Sequence, residues 1–391
     1  MTSFNFFIPT RIRFGAGRLN EIGKIATNYG KKCLMVSSPD MEPLKTLHSR
    51  IKKILSGENI DVVHFDGVVP NPTIESVEEG LMLARKHRVD CVLGVGGGSS
   101  MDTAKLIALL FSGSGTPNWE ETFSKYSNPF ESYGTPVDTL PLIAVTTTSG
   151  TGSNVTQAAV VTDSKKEEKV TVFHQKNFPE VSIVDPELML SMPIRGTAAT
   201  GFDVFAHAFE SYLGDKTSPL TEMMSLEAIK LVADNLPKVV LDPSNIEYRT
   251  KLAWADTLAG ICLANGGADI PHPLSEIIGG ICPRISHGEC LALVYPDFLR
   301  YKKMSAIEKF ATVIKKIDPK FADVPNHEAA NEFCVGMDKF LKKINLWASL
   351  KDYNVTEEEY SKIIENPVLR FLPFAPEDEL KKIMAASYNR T

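Results

Sequence analysis

Paired cysteines are missing from this chain of 391 residues. None of its six cysteines forms a Cys-x-x-Cys pair, which excludes a zinc-knuckle pattern and a dense disulfide framework. They stand at Cys33, Cys91, Cys262, Cys282, Cys290 and Cys334. Scattered thiols of this kind are typical of a reducing compartment, so we expect a cytoplasmic protein.

A strong charge of one sign and a long apolar run are also absent. The net charge of −6 gives no basic surface for nucleic acid or for an anionic membrane. No stretch reaches the roughly 18 uninterrupted apolar residues of a membrane span, and the first residues lack the basic region and apolar core of a signal peptide. A composition of 43% hydrophobic and 23% charged residues is that of a soluble globular protein, long enough for two domains.

Short apolar runs alternate with amphipathic segments over residues 1–190. The runs that predict buried strands are Cys33–Val36, Val62–Phe65, Cys91–Val95 and Leu142–Val145. Helical patterns between them include Pro43–Leu55 and Ile74–His87. This alternation predicts an α/β domain with a parallel sheet covered on both faces. Two alternating segments, Gln157–Asp163 and Lys169–His174, predict an appended hairpin.

Residues 191–391 have a different pattern, in which strand-like alternation is nearly absent. Apolar residues recur there at helical spacing, as in Leu226, Ile229, Ala233 and Leu236. Ser244 is a suitable N-cap for the long apolar segment Tyr248–Asn265. We therefore predict a second, all-α domain over this range.

Two loops rich in glycine and hydroxyl groups each follow a predicted strand. Gly94–Asp102 opens the helical run Thr103–Leu110, and a helix N-terminus preceded by glycines can bind a dinucleotide pyrophosphate. Thr146–Ser153 offers hydroxyls and glycines that can bind ribose, amide or phosphate oxygens. A tight strand-to-helix turn and a solvated loop are the plain structural alternatives. The first loop is not the usual Rossmann fingerprint, because it follows the third apolar strand.

Asp203 and His207 are four residues apart in a segment without proline. On a helix this spacing places both side chains on one face, where a carboxylate and an imidazole can hold one divalent cation. Two further histidines, His272 and His287, stand downstream at expected loop edges. For Asp203 and His207 alone, the alternative is an ordinary hydrogen-bonded helical pair.

The motifs together resemble those of the iron-containing (group III) alcohol dehydrogenases. In chain order they are Phe14-Gly-Ala-Gly, Asn71-Pro-Thr, the glycine loop, Thr147–Ser153, Val184–Leu188, Asp203-x-x-x-His207 and His272 with His287-Gly288. Each motif is moderately specific, whereas their joint order over residues 5–300 is strongly specific.

This resemblance implies an N-terminal, Rossmann-like dinucleotide-binding α/β domain over residues 1–190 and an all-helical metal-binding domain over residues 191–391. That arrangement is the dehydroquinate synthase-like architecture of iron-dependent alcohol dehydrogenases, with the active site in the cleft between the domains. The implied metal ligands are Asp203, His207, His272 and His287. The implied cofactor residues are Asn71, Gly97, Gly98, Ser99, Asp102, Thr147, Thr148, Thr151 and Lys169.

One departure from the family pattern concerns the third metal ligand. Many members carry two histidines four residues apart at this position, whereas this chain has one. If His272 is the first histidine of the pair and binds the metal, Glu276 takes the place of the second histidine. If His272 is instead the second histidine, the ligand position falls on Ala268, which has no donor atom. The first assignment leaves four ligands and is preferred. In the remaining alternative, Asp269 or water replaces His272.

A second departure concerns the nicotinamide cofactor. NAD-preferring members often carry Asp just after the first strand, a position that is Ser38 when counted from Cys33–Val36. A carboxylate there would repel a 2′-phosphate and Ser does not, so NAD and NADP both stay open, with Asp40 close by. Imidazole suits both iron and zinc, and Fe(II) is what the resemblance implies.

The implied activity is hydride transfer between NAD(P) and a small primary alcohol or aldehyde. Glu276, a cofactor ribose hydroxyl or water could relay the proton. A pocket lined by Phe202, Trp254, Leu258 and Ile261 would suit such substrates, although a place in the core is the preferred interpretation of these residues. The alternatives are a relative of glycerol dehydrogenase or 3-dehydroquinate synthase, and a non-catalytic nucleotide-binding protein with a structural metal. The family's habit implies a homo-oligomer, a dimer or larger.

Overall fold

The computed structural model describes residues 3–134 and 139–390, which divide into two compact units. The first unit is Phe6–Met192, and the second is formed by residues 3–5 and 193–390. Among the described residues, the helices are all too short or too polar to cross a membrane.

The first unit contains a parallel sheet and a separate hairpin. Within the described residues the strands are β1 (Arg11–Phe14), β2 (Lys32–Val36), β3 (Asp61–Phe65), β4 (Cys91–Gly96), β5 (Leu142–Thr146), β6 (Ala158–Asp163), β7 (Glu168–Phe173) and β8 (Val181–Val184). Six of these described strands form a sheet of order β1-β8-β5-β4-β2-β3, in which every pairing is parallel. Strands β6 and β7 pair antiparallel, which confirms the predicted hairpin.

Helices cover both faces of this sheet. They are α1 (Ile22–Ala26), α2 (Leu44–Gly57), α3 (Ile74–His87), α4 (Gly98–Leu110) and α5 (Trp119–Lys125). Alternate residues of β2 enter different clusters: Leu34 and Val36 pack on one side, and Cys33 and Met35 on the other. A strand buried on both faces therefore reads as a continuous apolar run, which is why the sequence predicted it.

Two neighbouring strands at one side of the sheet, β1 and β8, were not predicted from the sequence. β1 carries Arg11 and Arg13 and is partly exposed, and β8 is only four residues long. With β1 included, the glycine loop follows the fourth strand of the chain and Ser38 follows the second. The loop follows the third apolar strand, as predicted, and β1 was missed because a charged edge strand lacks the apolar signal.

Within the described residues, all the regular secondary structure of the second unit is helical. Its helices are α6 (Ile194–Leu213), α7 (Pro219–Leu241), α8 (Ile246–Gly266), α9 (Pro271–Ile281), α10 (His287–Lys302), α11 (Ile307–Ile317), α12 (Asn326–Lys343), α13 (Glu357–Ile364) and α14 (Glu377–Asn389). Helix α6 is buried along almost its whole length, and Phe202, Phe205 and Phe209 are in the core. An α/β domain followed by an all-α domain is the predicted fold class, which is confirmed.

The predicted N-cap of α8 was wrong by one residue. Asn245, and not Ser244, occupies the cap, and its Oδ1 accepts hydrogen bonds from the N–H groups of Glu247 and Tyr248 at 3.1 and 3.2 Å. The Ser244 hydroxyl instead donates to Asp242 at 2.8 Å. Both residue types are good caps, so the sequence alone does not choose between neighbours.

Candidate functional site

Helix α6 carries the first two residues of the predicted cluster on one face. Asp203 and His207 are 2% and 4% exposed, and His207 Nε2 lies 3.5 Å from Asp203 Oδ1. A buried carboxylate is rare unless it is paired or coordinates a metal. The spacing predicted in the sequence therefore brings the two side chains together in the core of the helical unit.

The two downstream histidines complete the cluster from two other helices. His272 lies in the first turn of α9, and His287 is the first residue of α10. Their Nε2 atoms lie 3.6 and 3.7 Å from the same atom, Asp203 Oδ1. Three imidazoles from separate helices thus converge on one carboxylate oxygen.

Local sequence explains why α9 begins one residue before His272 and why α10 begins at His287. Pro271 occupies the start of α9, where its missing N–H is not needed. Ser286 and Glu289 form a capping box that begins α10 at His287. The histidines were expected at loop edges, and the structure places them in the first turns of helices.

Gly288 permits the close approach of α10 to α6. A Cβ atom at this position would lie 2.0 Å from the backbone oxygen of Ala199, far inside van der Waals contact. Because Ala199 is one turn before Asp203 on α6, this approach brings His287 to the carboxylate. The Gly that follows His287 in the sequence is therefore a packing requirement.

Two histidines of the cluster, His272 and His287, also have a hydrogen-bonding partner at Nδ1. His272 Nδ1 lies 2.8 Å from Oε2 of Glu210, and His287 Nδ1 lies 3.2 Å from the hydroxyl of Ser275. Glu210 was missed in the sequence. Its signal was a third polar residue on the face of α6, seven residues after Asp203 and three after His207.

The charges within the cluster perturb one another strongly. Burial opposes ionisation of Asp203, but the neighbouring imidazoles, His207 first, outweigh it and lower the Asp203 pKa to about 2. Burial likewise opposes a charged His272, yet Glu210 and Asp203 raise the pKa of His272 to about 10. The electrostatic potential at the cluster is therefore negative, and it attracts positive charge.

The donor set fits a divalent cation. Asp203 Oδ1 and His272 Nε2 are buried and have no hydrogen-bond partner among the described residues. Asp203, His207 and His272 each offer a ligand atom within 4.8 Å of those of the other two, which is close enough for the three to hold one cation, and His287 Nε2 lies 3.7 Å from Asp203 Oδ1. Three imidazole nitrogens and one carboxylate oxygen suit iron and zinc alike.

The alternatives for the third ligand position differ in their surroundings. Asp269 has one carboxylate oxygen 2.6 Å from Lys302 Nζ, and the other accepts a hydrogen bond from the N–H of Ile270. Ala268 has no donor atom. Glu276 lies half-buried on α9, one turn after His272. Of these, His272 is the residue whose side chain faces Asp203.

In the sheet unit, the two predicted loops pack against each other. A Cβ atom on Gly97 would lie 3.0 Å from Thr148, and one on Gly98 would lie 2.7 Å from Thr151. The backbone N–H of Thr147 donates to the carbonyl of Gly96 at 3.0 Å. The glycines are therefore needed for the two loops to meet.

These loops stand where an open α/β sheet binds ligands. The strand order reverses between β2 and β4, and the carboxyl ends of strands beside such a switch point form a crevice. Helix α4 begins at Gly98 without a side-chain cap, and Ser99 is in its first turn. Its uncapped N–H groups are suited to a phosphate.

Asp102 and Lys105 hold the hairpin against α4. Asp102 is 8% exposed, and its carboxylate accepts hydrogen bonds from the Ser153 hydroxyl at 2.6 Å and the Val160 N–H at 3.1 Å. The fully buried Lys105, which was missed in the sequence, donates to the Ala158 carbonyl at 2.6 Å. Burial lowers the Lys105 pKa to about 8, although Asp102 opposes that change. Both oxygens of Asp102 are thus engaged within the unit.

The remaining predicted cofactor residues lie in two places. Lys169 Nζ donates to Asn71 Oδ1 at 2.7 Å, which joins the hairpin to the turn before α3. Ser38 follows β2 and is half-buried. Nearby, Asp40 Oδ1 lies 2.9 Å from His48 Nδ1, so this carboxylate already has a partner.

The four residues considered for an apolar pocket do not share one environment. Phe202 is fully buried and Leu258 is 6% exposed, and both belong to the helical core. Ile261 is 7% exposed, whereas Trp254 is 41% exposed on α8. Phe202 packs edge-on against Tyr295, so it acts in the core.

Comparison with known families gives a match along most of the chain. A family described as iron-containing alcohol dehydrogenase matches residues 9–186. The C-terminal part of the Fe-containing alcohol dehydrogenase family matches residues 197–386.

Individual relatives match over nearly their full length. The NAD-dependent methanol dehydrogenase of Bacillus methanolicus is 31% identical over 362 residues, covering 93% of this chain and 92% of that protein. The NADPH-dependent butanol dehydrogenase of Clostridium saccharobutylicum is 28% identical, covering 99% and 98%. The crystal structure of a 1,3-propanediol oxidoreductase superposes with a TM-score of 0.89 at 29% identity, covering 99% of this chain and 100% of that one.

Proposed function

The chain belongs to the iron-containing alcohol dehydrogenase family, and from this membership and the cluster on α6 we propose that it interconverts small primary alcohols and aldehydes with a nicotinamide cofactor. The observation that carries the proposal is the convergence of three imidazole Nε2 atoms on Asp203 Oδ1, at 3.5, 3.6 and 3.7 Å. The family match favours an alcohol dehydrogenase over a relative of glycerol dehydrogenase or dehydroquinate synthase.

The proposed metal ligands are Asp203, His207, His272 and His287. When bound, a divalent cation supplies Lewis acidity toward an alcohol or carbonyl oxygen, and the nicotinamide carries the hydride. Asp203 would contribute the negative charge, and each histidine would contribute the Nε2 lone pair that remains once the cation has displaced any proton from that nitrogen. Fe(II) is the metal we propose, with zinc as the alternative that the same donors accept.

Exposure indicates the side from which substrate reaches the cluster. The side chains of Asp203, His207 and His272 are 3%, 5% and 10% exposed, whereas that of His287 is 30% exposed. Substrate would therefore enter beside His287. The three more deeply buried groups exclude water from the opposite side, which strengthens electrostatic interactions there.

For the cofactor, we propose that the first turn of α4 binds the pyrophosphate. Its glycines let the backbone approach a ligand, and the N–H groups of its first turn have no side-chain cap. Gly97, Gly98, Ser99, Thr147, Thr148 and Thr151 would surround the phosphates, while Asn71 and Lys169 would contribute as a joined pair. Asp102 would act indirectly, by holding α4 and β6 together.

We further propose a cytoplasmic homo-oligomer, a dimer or larger. All six cysteines are buried and free, which suits a reducing compartment. The oligomeric part of this proposal follows from the family membership.

A panel of primary alcohols and aldehydes tests the proposed function. Purified protein, its metal content measured on the same sample, should form reduced nicotinamide steadily when alcohol is added, and a strong chelator should stop the reaction. Nicotinamide binding with no turnover of any alcohol would indicate a non-catalytic binding protein. Lyase turnover without net change in reduced nicotinamide would indicate the synthase-like alternative.

Cofactor preference should respond to charge at position 38. We expect the wild type to accept NADPH as well as NADH, because Ser38 has no charge and Asp40 is paired with His48. Ser38→Asp should lower kcat/KM for NADPH relative to NADH by about tenfold or more, since a carboxylate beside a 2′-phosphate adds at least about 1.4 kcal/mol of repulsion. Ser38→Asn is the uncharged control and should keep the wild-type ratio. A wild type that strongly prefers NADH would contradict this interpretation of Ser38.

A further inference from the structure

Glu210 is a second carboxylate on the face of α6 that carries Asp203 and His207. It is completely buried, and such a group is rarely kept in a core without a specific partner. Helical spacing places it one turn beyond His207, on the side where α9 approaches. Apolar packing gives no reason for a charged group at this position.

Both hydrogen-bonding contacts of the Glu210 carboxylate are with the His272 ring or with the backbone just before it. Its Oε2 lies 2.8 Å from His272 Nδ1 and accepts a hydrogen bond from the Asp269 N–H, also at 2.8 Å. The next residue, Ser211, donates to the carbonyl of Gly267 at 2.8 Å. Helix α6 therefore fixes the imidazole ring and also the backbone that leads into α9.

We propose that Glu210 is a positioning residue that holds His272 with its proton on Nδ1 and the Nε2 lone pair directed at the metal position. Glu210 Oε2 accepts the hydrogen bond of the Asp269 N–H, and the His272 ring nitrogen 2.8 Å from the same oxygen is placed to donate a second one, so this nitrogen carries the proton. The other nitrogen, Nε2, is then free to donate its lone pair beside Asp203 Oδ1, 3.6 Å away. The inference rests on the proposed function, since it takes the cluster as a metal site.

The charge of Glu210 also bears on which cation is held. In the metal-bound state the histidine ligands have lost the proton on Nε2 and are neutral, so Asp203 and Glu210 bring two buried negative charges to the cluster. A divalent cation balances these charges, and a carboxylate on the far side of a ligating histidine makes that ligand more basic. His287 differs, because its Nδ1 faces the neutral hydroxyl of Ser275 at 3.2 Å. The effect of Glu210 is therefore concentrated on His272.

The test compares Glu210→Gln and Glu210→Leu with the wild type in the full-length protein. The first readout is the Kd for Zn²⁺, measured by chelator competition. Glu210→Gln should weaken binding about tenfold, because it keeps an acceptor and loses the charge, and Glu210→Leu should weaken binding about a hundredfold. The second readout is the ¹⁵N signature of His272 in the zinc-loaded protein. This signature should show that Nδ1 carries the proton in the wild type. In Glu210→Leu the protonation of the two ring nitrogens should be mixed or altered.

Asn235→Ala is the control for general destabilisation. Asn235 is buried on α7, where its side chain donates to the Leu231 carbonyl at 2.7 Å, and it does not take part in the cluster. This variant should lower the melting temperature and leave the Kd for Zn²⁺ within twofold of the wild type.

The outcomes separate this inference from the proposed function. A wild type that binds no zinc contradicts the metal site itself. A wild type that binds zinc, together with a Glu210→Gln Kd within twofold of it, overturns the role of Glu210 alone. An equal loss of affinity in Asn235→Ala overturns it too, because the effect would then be one of stability. If Glu210→Leu does not fold, the Glu210→Gln comparison still decides.

Discussion

Replacing His207 by alanine should remove the bound metal and lower kcat/KM for alcohol oxidation by about a thousandfold or more. His207 is buried, and its Nε2 lies 3.5 Å from Asp203 Oδ1, so alanine takes away one of the donors that face this oxygen. Loss of about 4 kcal/mol of transition-state stabilisation, a typical contribution from a Lewis-acid metal, corresponds to this factor.

The measurement pairs metal analysis of the purified protein with initial rates for one good alcohol substrate. His327→Ala is the matched control, because His327 is an exposed histidine on α12 of the same helical unit. The control should keep the wild-type metal content and rate. Wild-type metal and turnover in His207→Ala would end the proposal that this cluster is the catalytic centre.

Gly288→Ala should have the second large effect, on both stability and metal binding. The new Cβ would meet the Ala199 backbone oxygen at 2.0 Å and its carbonyl carbon at 2.5 Å, and neither atom can rotate away. Helix α10 must then move by about 1 Å or more, which takes His287 away from Asp203. We expect a loss of about 3 kcal/mol in the free energy of unfolding, at the upper end for overpacking.

Gly336→Ala is the control for this second substitution. Gly336 lies inside α12, and a Cβ there would have no atom within 4 Å among its non-local neighbours. Alanine in such a helical position should raise stability by about 0.5–1 kcal/mol. Chemical unfolding of both variants, with zinc binding by chelator competition, checks the pair. If Gly288→Ala is as stable as the wild type and binds zinc equally well, the close approach of α10 to α6 is not required.

The sequence was informative where one periodicity dominated. The buried strands of the sheet read as continuous apolar runs, so β2, β4 and β5 were predicted within one or two residues. The Asp203 and His207 pair was predicted because helical spacing alone places the two side chains on one face. In both cases a local rule coincides with the tertiary structure.

The features that the sequence missed depend on contacts between distant residues. β1 is recognisable only through its pairing with β8, at the far end of the unit in sequence. Glu210 reads as an ordinary helical glutamate until α9 places the His272 ring beside it, 62 positions along the chain. Lys105 similarly reads as a surface lysine, yet it is fully buried and bonded to the carbonyl of Ala158 on the hairpin.

The departure from the family pattern at the third ligand illustrates the same limit. Counting residues favoured His272 over Ala268, which has no donor atom, and left Asp269 or water as the alternative ligand. The structure separates them by direction, because the carboxylate of Asp269 bonds Lys302 while the His272 ring faces Asp203. Side-chain direction follows from where α9 begins, which the sequence indicates only weakly through Pro271.

Anomalous diffraction at the iron absorption edge, on crystals of protein prepared with Fe(II), locates the metal without assuming its ligands. We expect one strong anomalous peak about 2.0–2.3 Å from Asp203 Oδ1 and from the Nε2 atoms of His207, His272 and His287. A peak elsewhere in the helical unit, or iron bound by fewer than three of these four side chains, would contradict this expectation.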